Sequence, residues 1–154
     1  MTGTVEAVAY VIAAINLLVA AYGAWVWRQG SPPEDMLRRF WIGLRAAQAG
    51  ALAFAVFVGV LVIAGHHPSE SLFYLYALLP LAVAFIAEQL RIASAQTVLD
   101  QLDLPDAQAV GALPETQQLD IVAQIVRREV AVMAASTLVV AFLLSRAAGT
   151  AHGL

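Results

Sequence analysis

The chain alternates between long apolar runs and short polar interruptions. Four runs stand out, at about 5–27, 40–64, 72–92 and 125–145, each long enough to carry a helix across a bilayer core of ~30 Å. The uncharged parts of the last two, Leu72–Ala87 and Val130–Leu144, fall short of that length by themselves. Helical composition nevertheless continues through Glu88–Leu102 and resumes at Pro114, a residue suited to the first turn of a helix. Helices 3 and 4 are therefore expected to run past the apolar zone into water. The pattern predicts an all-α integral membrane protein, a single four-transmembrane-helix antiparallel bundle covering 1–154, because sequential helices on short connections pack as antiparallel neighbours.

Composition agrees with this pattern. The 154 residues are 61% hydrophobic and 12% charged, with a mean hydropathy of +0.78, which excludes an ordinary soluble globule. There is no cysteine, which rules out disulfides, thiolate metal sites, iron–sulfur clusters and cysteine nucleophiles. Every basic residue is arginine, the side chain suited to bidentate recognition of carboxylate or phosphate. A net charge of −3, with no basic stripe interleaved with aromatics, argues against nucleic acid.

Charge placement predicts an orientation. Arg28, Arg38 and Arg39 flank the first connection, and Arg91, Arg127 and Arg128 flank the third, whereas the second, from Gly65 to Ser71, has no arginine. The positive-inside rule then makes the first and third connections cytoplasmic and puts both termini outside, in a multi-pass protein of the cell membrane. Arg146 is the dissenting charge. Trp25, Trp27, Phe40 and Trp41 mark the expected inner interface, and Phe73, Tyr74 and Tyr76 the outer one. The first segment lacks a basic n-region and carries Glu6, so it reads as a span and not a cleaved signal peptide. The stretch 100–120, with five acidic residues and the breakers Pro105, Gly111 and Pro114, reads as an acidic cytoplasmic connector.

Besides Glu6 at the start of the first span, six charged residues fall inside the spans: Arg45, Glu88, Arg91, Arg127, Arg128 and Glu129. Charge at bilayer depth is costly and is held by a partner or a function. Equal rise per residue in facing helices puts all six near one depth, with Arg45 within a turn of Glu88 and Arg91, and Glu88 facing Arg127, Arg128 and Glu129. The layer has a surplus of two positive charges. Its expected use is to hold an anionic ligand, a lipid headgroup or an ion at the cytoplasmic side, with the carboxylates orienting the arginines; a belt of salt bridges that locks the helices is the plainer alternative.

The same arithmetic sets Asn16 opposite Gln48 as an interhelical amide pair. Gly43, Ala47, Ala51, Ala55 and Gly59 recur every four residues, a small-residue stripe that allows close helix approach and is a candidate face for a homo-oligomer or a partner membrane subunit. Ala9, Ala13, Asn16, Ala20, Gly23 and Trp27 form a thin heptad-like seam on the first helix. Pro80, in the middle of the third span, removes a backbone hydrogen bond to Tyr76 and is expected to kink it.

His66, His67 and Glu70 lie in the outer connection, and His152 near the C-terminal end on the same side; they are weak metal candidates, because adjacent histidines point apart. Haem in a bundle needs histidines on facing spans, and none is present, so no cofactor is expected. HExxH, GxSxG and Walker patterns are absent, as is a base near Ser136 or Thr137. The function expected is therefore a small non-enzymatic binding or transport module, or else a structural or accessory subunit of a larger membrane complex; a metal-dependent role for the outer histidines is a third reading.

Overall fold

The computed structural model describes residues 2–152, which form five helices: α1 (Thr2–Arg28), α2 (Glu34–Ile63), α3 (Leu72–Gln101), α4 (Ala107–Gly111) and α5 (Glu115–Gly149). Four of them, all but α4, are long and apolar enough to cross a membrane. The long helices pack in a ring. α5 lies against both α1 and α3, α2 closes the ring against the other sides of α1 and α3, and contact across the α2–α5 diagonal is slight.

Local chemistry sets the helix ends. α2 starts directly after Pro33, with Glu34 and Asp35 in its first turn, where carboxylates favour the positive end of the helix dipole. It stops at Gly65, whose φ of +88° is costly for any side chain. There the N–H groups of Gly65 and His66 donate back to the carbonyls of Val62 and Leu61, closing a Schellman-type cap. α3 continues as helix through Pro80, which is buried. α5 starts after Pro114, as its sequence position predicts.

The core is divided along the bundle. One cluster gathers Val5, Ala9, Ile12, Phe54, Phe73 and Leu144. Another, toward the connections that follow α1 and α3, gathers Val26, Phe40, Leu44, Ala87, Val130 and Met133. The outward faces stay apolar: Leu18 is 70% exposed, Phe85 66% and Phe142 64%. Large apolar side chains turned outward all round are the reverse of a soluble surface.

The seam on α1 is buried from Ala9 to Gly23, while Trp27 lies outside it. Gly23 is its tightest point, since a Cβ there would lie 2.5 Å from the Phe40 ring and 2.8 Å from Ala134 Cβ. Three helices therefore meet over one missing side chain.

Two packing expectations are corrected. Asn16 and Gln48 do not pair: Asn16 Nδ2 donates to the Ile12 carbonyl of its own helix at 2.9 Å, and Gln48 turns to α3. Gly43 lies beside Val19 and Gly50 beside Ile12, a register that brings Asn16 level with Ala46 and Ala47 instead. The stripe on α2 is also not an open face. Ala47, Ala51 and Ala55 are buried within the chain itself, leaving only the end positions Gly43 and Gly59 for a partner.

The acidic connector has more order than its composition predicts. Asp106 caps α4 through an Oδ1 that accepts from Ala109 N at 2.9 Å, and Gln118 Nε2 donates to the Leu113 carbonyl at 2.7 Å. Beneath it Val98, Leu99 and Ile121 form a small core with Leu104, Val110 and Leu113.

Gly23→Ala is expected to destabilise the protein by about 1–3 kcal/mol through overpacking, outweighing the ~1 kcal/mol that alanine gains over glycine in a helix. Gly59→Ala, where a Cβ meets nothing within 4 Å, should show the gain alone. Thermal unfolding of the two variants in one detergent checks the contrast in sign.

Candidate functional site: an arginine layer in two parts

Glu88, on α3, collects the polar groups of two helices. Arg45 of α2 reaches its Oε1 at 2.5 Å, and Gln48 Nε2, one turn along α2, donates to the same oxygen at 3.1 Å. Arg91, one turn along α3, donates from Nε to Oε2 at 2.8 Å. Arg45 also donates to Gln48 Oε1 at 2.7 Å, which fixes which way that amide points. The Glu88 and Arg91 side chains keep only 22% and 27% of their exposure, while Arg45 keeps 56%. The carboxylate is thus largely enclosed and one of its cations still reaches outward. The Arg91 guanidinium also lies 5.7 Å from the centre of the Trp41 ring, which returns the cluster to α2.

The α5 charges are disposed differently. Arg127, Arg128 and Glu129 are consecutive, and 100° per residue sends them to three different faces. Glu129 is half-buried, with Arg91 and Glu88 as charged neighbours. Arg127 stands over the Trp27 ring of α1 at 5.1 Å. Arg128 is exposed. Among the described residues neither Arg127 nor Arg128 has a carboxylate within ion-pair distance. The expectation that Glu88 faces them across one hairpin is therefore corrected: depth is shared, but direction is not.

The layer accordingly divides. Arg45 and Arg91 balance Glu88 and Glu129 in formal charge, and the surplus of two falls entirely on Arg127 and Arg128. Trp27 and Trp41 mark only an interface in the sequence; the structure makes each a platform for an arginine. The usable signal is a tryptophan at the depth of an arginine on another helix, which becomes specific only once the packing is known. Arg146, the dissenting charge, is accommodated in the same way, 5.7 Å over the Tyr76 ring.

The outer histidines are not brought together. His66 Nδ1 is buried without a partner, His67 Nδ1 lies 3.4 Å from the Tyr74 hydroxyl, and His152 contributes its carbonyl to Ser69. No group of three or more His, Asp or Glu side chains able to hold a metal occurs among the described residues. His66, His67 and Glu70 are thereby corrected as a metal set: adjacent residues of the chain leave in different directions, and the cap of α2 fixes the first of them.

Compared with protein families, with curated proteins and with solved structures, the chain matches none.

Because Glu88 accepts from two arginines and a glutamine, Glu88→Ala should lower stability by about 1–3 kcal/mol, the scale of hydrogen bonds to charged groups. Arg45→Ala should cost less than about 1 kcal/mol, since that side chain is largely solvated. Unfolding midpoints of the two variants, measured side by side, give the order.

Proposed function

We propose that this protein is a non-enzymatic multi-pass membrane protein that binds an anion at its arginine layer. The observation that carries this reading is the surplus of the layer, which falls on the consecutive residues Arg127 and Arg128: neither has a carboxylate within ion-pair distance among the described residues, whereas Arg45 and Arg91 share Glu88. A guanidinium pair offers fork-shaped donors that match phosphate or carboxylate oxygens. Arg45, Glu88, Arg91 and Glu129 supply the balanced, rigid side of the layer, and the outward reach of Arg45 makes it a second contact for the ligand. Binding without transport and binding as a step in transport both use this layer.

In this reading the four long helices form an antiparallel bundle with the first and third connections in the cytoplasm and both termini outside. The arginine distribution supports that orientation. Because the chain has no cysteine, single substitutions report it directly. A membrane-impermeant maleimide added to intact cells should label Ser69→Cys and leave Gln108→Cys unlabelled; the opposite pattern inverts the topology.

The accessory-subunit alternative draws on the stripe of α2 and on the acidic connector. It has lost the middle of the stripe to the bundle interior, so anion binding is the better-supported reading.

Inorganic phosphate should raise the unfolding temperature of the detergent-solubilised wild type, because a ligand that binds only the folded state stabilises it by about 2.7 kcal/mol at a hundred times its Kd. Arg127→Ala/Arg128→Ala, still folded and helical, should lose that response. Phosphate also stabilises proteins generally by exclusion from their surfaces, so an equal rise in wild type and variant overturns the reading.

A further inference from the structure

Arg127 stands over the residue that ends a groove. Between α1 and α5 runs an open apolar channel of about 480 Å³, walled by Leu17, Ala21, Ala24, Ala131, Ala135 and Leu138, with Trp27 at its end. Past Leu17 and Leu138 it continues into a second channel of about 370 Å³ that reaches Tyr10 and Ser145. Trp27 is the ring beneath the Arg127 guanidinium. On α5, Arg127 and Arg128 precede Ala131 by four and three residues, so helical periodicity sets them on either side of its line, Arg127 toward α1 and Arg128 toward the outside. From Trp27 to Leu17 the rise is about 15 Å, and on to Tyr10 about 25 Å, so the first channel spans half of a ~30 Å hydrocarbon core and the two together most of it.

We infer that this groove seats one acyl chain of an anionic phospholipid whose phosphate is held by Arg127 and Arg128. The inference rests on the proposed anion binding and names its ligand class. A free anion uses only the mouth and leaves the alanine-lined channel without a role. A helix from a second copy fills the channel but has to bring a carboxylate to the arginines, and the carboxylates of this chain at that level, Glu88 and Glu129, are turned to its own layer. A phospholipid supplies both parts at the observed spacing, an anion beside an apolar chain.

A competing groove on α2, beside Leu37 and Trp41, is less suited. It is lined by Glu34 as well as by Arg38 and Arg45, and Arg45 already serves Glu88. Its lining thus carries a carboxylate beside the arginines, which the lining between α1 and α5 does not.

The test is native mass spectrometry of the full chain in mild detergent with phosphatidylglycerol or phosphatidylcholine of identical chains, alongside the inorganic phosphate response. Wild type should retain phosphatidylglycerol about tenfold better than phosphatidylcholine, a difference of about 1.4 kcal/mol. Arg127→Gln/Arg128→Gln should erase that preference. Ala135→Phe fills the groove from an exposed position on α5 and should lose phosphatidylglycerol while keeping the phosphate response; Ala24→Phe does the same from α1 and serves if the first fails to fold. Full retention of phosphatidylglycerol in a folded groove-filled variant overturns the lipid seat and leaves anion binding standing. So does a wild-type dimer that becomes a monomer on groove filling, which identifies a second copy as the occupant. If the double arginine variant matches wild type for both phosphate and lipid, both readings fall together.

Discussion

An ionised carboxylate away from bulk water has to be met by cations and donors, or it costs several kcal/mol. Glu88 satisfies that constraint by drawing Arg45, Gln48 and Arg91 onto two oxygens, and much of the α2–α3 arrangement follows from it. α2 and α3 share less packing contact than the other adjacent pairs of long helices. The polar cluster therefore ties together the two neighbours that apolar packing joins least. Where dispersion contacts are few, hydrogen-bond geometry has to set the register.

α5 works by the opposite means. It contacts α1 and α3 extensively, and its inward residues include Ala134, Thr137, Ala141, Ala147 and Ala148, small enough for backbones to come close. Its hydroxyls do not need a neighbour: Ser136 donates to the Met133 carbonyl and Thr137 to the Ala134 carbonyl of the same helix, which satisfies them inside an apolar seam. Alanine has a second consequence. Turned inward it permits close approach, and turned outward, as at Ala24 and Ala135, it leaves a groove because nothing projects to fill the space. The proposed ligand seat and the tight helix contacts thus share one compositional cause.

The stretch after α3 illustrates how composition misleads. Five acids and three breakers read as a solvated loop, yet Leu104, Val110 and Leu113 recur at intervals that let one short turn cover the ends of α3 and α5. A five-residue helix has too few residues for periodicity to register, so its existence depends on the apolar surface beneath it. The Asn16–Gln48 pair failed for a related reason. Two central amides at similar depth look complementary, but a shift of about two residues in the α1–α2 register and the nearer carboxylate of Glu88 gave each amide another partner.

What the sequence determined by itself is the one-dimensional part of the structure: the four long apolar helices, where they stop, and the common depth of the six charges. Those follow from transfer free energy and a fixed rise per residue, both local properties of the chain. Direction around each helix axis was decided only by the tertiary structure. Arg127, Arg128 and Glu129 occupy nearly one depth, yet they face α1, the outside and the charged layer respectively, because azimuth depends on which side of α5 its neighbours take. That choice separated a balanced cluster at Glu88 from two unbalanced arginines, one over Trp27 and one turned outward. It was made by the packing of small residues between helices far apart in the sequence.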